Sequence, residues 1–226
     1  MSILLIDKPE DISSFECIQI LQRRAKKEGR GKVKMGHAGT LDPAASGLLI
    51  VATGGDTKQL TDFLKLPKGY IADVLFGIAT DSGDREGKEI ARVSPEKCAV
   101  SEERVREVLF GMVGTLALPV SKYSAIKQGG EALYKKARRG EEVDVPVREM
   151  TVNEVEFLFM HRRKDGYLVA HIRFAVESGV YIRSLGEELG KRLGCPASLT
   201  NLRRTRIGDM DVEDAECPEK IDVIEI

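Results

Sequence analysis

Apolar positions along this chain change their spacing several times, and each change marks a new element. Ile3-Leu-Leu-Ile6 is an unbroken apolar run closed by Asp7-Lys8-Pro9, the mark of a short buried strand. Ser13 with Glu16 three residues later has the capping-box pattern, so a helix follows to about Glu28 with Cys17, Ile18, Leu21 and Ala25 on its apolar face. A polar, glycine-punctuated stretch containing Gly36, Gly39 and Asp42 then runs straight into a buried strand at residues 48–52, ended by Gly54-Gly55. Residues 57–66 read as a helix with Leu60, Phe63 and Leu64 inward, residues 70–77 as a strand, and residues 80–87 as a polar loop. Ser101 opens a helix whose first turn holds Glu102 and Glu103, favourable at the positive helix end, with Val105, Val108 and Leu109 inward. Residues 119–127 are loop or edge strand, and residues 131–139 a short helix stopped by Gly140.

The clearest hairpin joins residues 152–160 to 167–176 through Lys164-Asp165-Gly166. Leu168, Ala170, Ile172, Phe174 and Val176 alternate strictly, which leaves Tyr167, His171 and Arg173 on the other face; His161 and His171 receive no role on this reading. Gly179-Val-Tyr-Ile-Arg183 leads into a helix with Leu185, Leu189 and Leu193 in one stripe, stopped by Gly194 and Pro196, and a last strand covers residues 199–207. With no repeat or low-complexity linker, the pattern predicts one α+β domain over residues 1–226, its mixed and largely antiparallel central sheet flanked by helices.

Charge refines this picture more than bulk composition does. The formal net charge is -1, but residues 23–34 hold seven basic side chains against one acid. Lys135, Lys136, Arg138 and Arg139 form a second basic group and Arg203, Arg204 and Arg206 a third, while acids gather at residues 209–225. Three basic clusters in a near-neutral chain suggest a polyanion footprint. Four separated cysteines (Cys17, Cys98, Cys195, Cys217) and three histidines give no metal-ligand spacing, so the cysteines read as reduced thiols and no metal or cofactor is expected. The absence of a signal peptide and of any long apolar run predicts a cytoplasmic protein with no membrane contact.

Asp42 is the residue that asks for chemistry. As the residue before Pro43 it is biased to extended backbone, and Gly39 permits close backbone approach, so its carboxylate can be presented at a fixed angle beside a strand. His37, Thr40 and Asp42 crowd one glycine-rich loop next to a core strand, which favours a functional loop over a plain turn.

Taken in order, these landmarks resemble the TruB family of tRNA pseudouridine synthases. The matching residues are Lys8-Pro9, Gly36-His37, Gly39-Thr40-Leu41-Asp42-Pro43, Gly47-Leu48-Leu49, Lys68 and Tyr70, and residues 77–87. They continue through Tyr123-Ser124-Ala125 with Lys127, Tyr134 with Ala137-Arg138, Gly179-x-Tyr181-Ile182-Arg183 and Leu202-Arg203-Arg204, nearly the whole chain. Departures from the family pattern are Asp11 where a Gly is usual, Ala38 where a Thr is common, and Leu118 and Val120-Ser121 where Gln and Pro-Pro are. The resemblance implies a pseudouridine synthase catalytic fold without the full appended RNA-binding domain of PUA type that many relatives carry. It implies an isomerase acting on the T-loop uridine (position 55) of tRNA, recognised through the T-stem-loop, with no cofactor and no obligatory protein partner; a monomer is the default.

Residue by residue, the resemblance makes Asp42 the carboxylate acting at the sugar and pairs Arg183 with it. Tyr70 stacks on the target base, Tyr181 and Leu202 line the uracil pocket, and His37 fills the space of the extruded base. Gly36 and Thr40 belong to the same substrate-binding loop, and Lys8, Lys127, Arg203 and Arg204 are expected on phosphates. Two other readings remain: an RNA-binding or RNA-folding protein with little turnover, and a synthase of dyskerin type that works in a guide-RNA particle.

Overall fold

The structure, a computed structural model, describes residues 2–124 and 126–221; Ala125 of the Tyr123-Ser124-Ala125 motif and the end of the acidic tail lie outside them. The chain divides into two compact units, one formed by residues up to Ile71 together with those from Leu202 onward, the other by Ala72–Asn201. The first unit takes β1 (Ile3–Lys8), α1 (Ser14–Lys27), β2 (Met35–Ala38), β3 (Ser46–Thr53), α2 (Leu60–Lys65) and the start of β4 (Lys68–Phe76). The second takes the rest of β4, then β5 (Ile78–Thr80), β6 (Glu89–Arg92), α3 (Glu102–Phe110), β7 (Gly114–Pro119), β8 (Lys127–Gln128), β9 (Glu131–Ala132) and α4 (Leu133–Arg138). After β10 (Val147–Arg162), β11 (Leu168–Val176) and α5 (Ile182–Leu193), β12 (Ala197–Ile207) re-enters the first unit at Leu202, and β13 (Met210–Asp211) follows.

In the first unit β3 is buried at every position, as its continuous apolar run requires. β1 lies antiparallel on it, β2 pairs with its C-terminal half, and β12 runs parallel to its start, placing Arg204 beside Gly47. That approach leaves no room for a side chain, since a Cβ on Gly47 would sit 2.2 Å from the Arg204 carbonyl oxygen. The capping box of α1 is present: the Ser13 hydroxyl accepts from Glu16 N at 3.1 Å, and the Glu16 carboxylate accepts from Ser13 N at 2.7 Å. The helix buries Cys17, Ile18, Leu21 and Ala25 against Leu4, Ile6, Leu49 and Val51.

In the second unit β10 pairs antiparallel with both β7 and β11, and α3 packs on β10 and α5. α5 ends at Gly194 in the left-handed conformation at φ 70, the stop its sequence announces. Both units therefore have the expected α+β character, with helices on mostly antiparallel strands. Among the described residues no helix is long and apolar enough to cross a membrane.

Several local expectations are corrected. The helix expected over 57–66 divides into a 3-10 turn at Gly54–Lys58 and the short α2, where Leu60 and Phe63 pack inward but Leu64 stays 43% exposed. His37 lies on strand β2, opposite Val51, rather than on a loop. Tyr167 is buried rather than on the open face, its ring filling the space that a side chain at Gly77 would need. Cys98 and Cys195 are not thiols but a disulfide, with Cα atoms 5.6 Å apart. Their 97-residue separation hides the contact in the sequence. Cys17 and Cys217 are free, and burial pushes the Cys17 thiol up to about 11.

Candidate active site

Asp42 sits half-buried on the segment that joins β2 to β3, and the backbone on both sides of it is tied down. The Ser14 hydroxyl accepts from Leu41 N at 2.9 Å and donates to Leu41 O at 3.1 Å. Asp11 N and Lys8 Nζ donate to Pro43 O at 2.8 and 3.1 Å. Arg204 Nη2 donates to Gly39 O at 3.1 Å and its Nε to Leu48 O at 2.7 Å. Asp42 closes its own turn by accepting from Ala45 N at 3.1 Å. Residues 39, 41, 43 and 48 are thus anchored from α1, β1 and β12, which fixes the backbone on both sides of Asp42. Asp11, where the resemblance leads to a Gly, takes the left-handed backbone at φ 63 as the one non-glycine residue to do so among the described residues.

Two residues expected on phosphate are buried instead. Lys8 is 0% exposed and also donates to Pro9 O and Ile12 O at 2.8 and 2.6 Å, so its ammonium donors are occupied by three carbonyls. Burial is the largest influence on it and lowers its pKa, against the opposing pull of Cys17 and Asp42. Arg204 is 2% exposed and held as described, so it too is unavailable to a phosphate. Desolvation forces such buried cations to satisfy their donors inside the protein. Arg203 forms a bidentate pair with Asp7 at 2.9 Å for both contacts and remains partly exposed.

His37 is half-buried, with Nδ1 buried and unbonded among the described residues. Burial first, then the Arg204 charge, lowers its pKa below the ordinary 6.5, so the ring is neutral at pH 7. Gly36 is a packing glycine, because a Cβ there would meet Leu60 Cδ1 at 2.8 Å. Thr40 is exposed beside Gly39, Tyr70 is 9% exposed on β4, and Leu202 is partly buried on β12.

In the second unit Tyr181 occupies the N-cap position of α5 and Arg183 its first turn. Arg183 is buried; Nη1 donates to Ser82 O at 3.1 Å and lies 3.5 Å from Asp84, while Nη2 donates to Tyr123 O at 3.4 Å. Asp84 is itself braced, accepting from Glu86 N at 3.0 Å and from the Ser82 hydroxyl. Gly83, at φ +77, lets this loop approach α5, where a Cβ would lie 3.2 Å from that of Arg183. Glu187, one turn on, has its pKa raised by burial. The residues that sequence reasoning missed are therefore Ser14 and Asp84. Asp84 had a signal, an acid inside a glycine-bounded polar loop, whereas Ser14 was overshadowed by the capping Ser13. Lys127 is exposed on the small β8–β9 hairpin.

One group of cations without ion pairs among the described residues lies on α1 and the loop after it. Gln19, Gln22, Arg23, Lys26, Gly31, Lys32 and Val33 line an open cleft of about 670 Å³. Among the described residues Arg23, Lys26 and Lys32 take part in no ion pair, whereas Arg92, Arg104, Arg139, Arg173 and Arg192 each face a glutamate.

The description "TruB family pseudouridylate synthase (N terminal domain)" matches residues 24–182. The chain is 42% identical over 214 residues to tRNA pseudouridine synthase B of Desulfotalea psychrophila, covering 94% of this chain and 84% of that one. It is 39% identical over 213 residues to tRNA pseudouridine synthase B of Bordetella pertussis, covering 94% and 83%. Among solved structures it superposes on a chain of a Cbf5-Nop10-Gar1 complex with a TM-score of 0.65 at 25% identity, over 92% of this chain and 50% of that one. The chain thus spans half of that solved chain but most of each of the two relatives named above. With the family description matched from 24 to 182 and the identity extending beyond it at both ends, the chain belongs to the TruB family of pseudouridylate synthases.

Proposed function

We propose that this protein is an RNA-modifying isomerase that converts the T-loop uridine (position 55) of tRNA to pseudouridine. The reaction breaks the N1–C1′ bond, turns the uracil and joins C1′ to C5, with the C5 proton lost to solvent and N1 gaining one; nothing is oxidised or reduced. The observation that carries the reading is the anchored Asp42 loop in a member of this family, because a carboxylate acting at C1′ has to be held at a fixed angle. Asp42 attacks C1′ or acts as a base at the sugar. Arg183 supplies a cation that favours an ionised carboxylate. Tyr70 stacks on the uracil, and Tyr181 and Leu202 line the pocket. His37, neutral and next to glycine, occupies the space of the extruded base, where aromatic stacking recovers about 1–3 kcal/mol.

Phosphates of the T-stem-loop meet the cleft cations Arg23, Lys26 and Lys32, together with Lys127 and the exposed side of Arg203. The protein works as a monomer with no obligatory partner. The test is release of tritium from C5 of an unmodified tRNA transcript. Asp42→Asn should abolish release, a loss of more than about 10³-fold, while tRNA affinity stays within a few fold. Full release by that variant removes Asp42 from the mechanism, and no release by the unaltered protein removes the reaction.

A further inference from the structure

The outer face of the β10–β11 hairpin carries a set of side chains that the proposed reaction does not use. Phe159 and His171 are paired directly across the two strands, and their rings stack with centroids 3.9 Å apart and planes 19° apart. His161 extends the stack, 5.1 Å from His171 at 29°. The rings are held in place: His171 Nδ1 lies 2.6 Å from a carboxylate oxygen of Asp73, and His171 Nε2 lies 3.1 Å from His161 Nδ1. With both rings neutral, the carboxylate, which can only accept, places the His171 proton on Nδ1, and Nε2 in turn accepts from His161 Nδ1–H. This assignment leaves His161 Nε2 as an acceptor at the exposed end of the chain of bonds. Phe159 remains 53% exposed, although it is the flat end of an ordered stack. Beyond it the hairpin tip reads Arg162-Arg163-Lys164, all exposed. Arg163 pairs with Asp165, while Lys164 meets no acid among the described residues.

A preorganised aromatic face, a ring-nitrogen acceptor and adjacent cations together match the chemistry of an unpaired nucleotide: a base to stack, an N–H to bond and a phosphate to neutralise. Scattered exposed apolar residues such as Phe110 and Ile90 have no such company among the described ring contacts. We propose that this face is a second RNA-contact site, holding one unpaired nucleobase of the RNA against Phe159 with its phosphate toward Lys164. The proposal rests on the protein being an RNA enzyme, but not on which uridine it alters.

The test measures binding of the whole chain to a fluorescent eight-residue oligouridylate and to an unmodified tRNA transcript. Phe159→Ala should weaken oligonucleotide binding by about five-fold or more. Its melting midpoint and the salt slope of binding should stay unchanged, because stacking releases no counterions. Phe159→Trp should restore affinity, Lys164→Gln should lower the salt slope, and 5-iodouridine in the oligonucleotide should crosslink to peptides holding Phe159, His161 or His171. Binding of both RNAs unaffected by Phe159→Ala, or a crosslink confined to α1 or the Asp42 segment, overturns the site. Restoration failing in Phe159→Trp does so as well. Phe159-dependent oligonucleotide binding without tritium release would uphold the site while ending the isomerase reading. Release with no Phe159 effect would do the reverse.

Discussion

Two groups of cations in the first unit carry charge of the same sign and do opposite things. Around Asp42, Lys8 and Arg204 are 0% and 2% exposed and give their donors to the carbonyls of residues 9, 12, 39, 43 and 48. Along α1 and the loop after it, Arg23, Lys26 and Lys32 line an open cleft and form no ion pair among the described residues. The buried pair turns charge into position: each bond from a charged donor contributes about 1.5–3 kcal/mol once the alternative is an unsatisfied carbonyl. The exposed set keeps its charge for a ligand, where it acts at long range and is screened by salt. Basic residues count toward an RNA footprint only after burial has divided them.

The strongest way to break this contrast is Arg204→Met, which keeps bulk and removes the donors to Gly39 and Leu48. Each orphaned carbonyl costs about 1–3 kcal/mol, so urea unfolding should show a loss of several kcal/mol, and tritium release should fall at least tenfold further than tRNA affinity. A variant that unfolds like its parent and turns over normally would return Arg204 to the phosphate-contact group. The complementary change, Gln at Arg23, Lys26 and Lys32 together, should leave the melting midpoint in place. It should lower the salt slope of tRNA binding by about one for each phosphate left without its cation. An unchanged slope would mean the cleft is a solvated face.

The smallest effect belongs to His37, which lies near Arg204 and is held neutral by burial. Its folded pKa is lowered from 6.5, so the unfolded chain binds the proton more readily; the native state loses stability as pH falls through about 6.5 and regains it as pH rises. His37→Gln should flatten the stability difference between about pH 5.5 and 7.5, as followed by urea unfolding. A slope identical to the parent would show that His37 is solvated when folded.

Much of the fold was legible because local rules and tertiary packing agree. The capping box at Ser13, the alternation from Leu168 to Val176 and the stop at Gly194 each predict an element that forms within a residue or so of its expected end. What stayed hidden depends on depth and on contacts across long separations. Nothing in Lys8-Pro9 or Arg203-Arg204 distinguishes a cation bonded to carbonyls from one that meets solvent. The Asp73–His171–His161 arrangement draws on three strands and passes in sequence for isolated polar positions. Asp42 was legible as a candidate from its neighbours, but its anchoring through Ser14 and Asp11 was not.

The Cys98–Cys195 link also changes what a cut in the chain would do. The segment it encloses includes Arg138 and Arg139, exposed at the end of α4. A single tryptic nick there leaves two pieces on one covalent tether, so they migrate together on a gel until a reductant separates them. A digest whose cuts fall between Cys98 and Cys195 therefore looks like resistance unless the bridge is opened first.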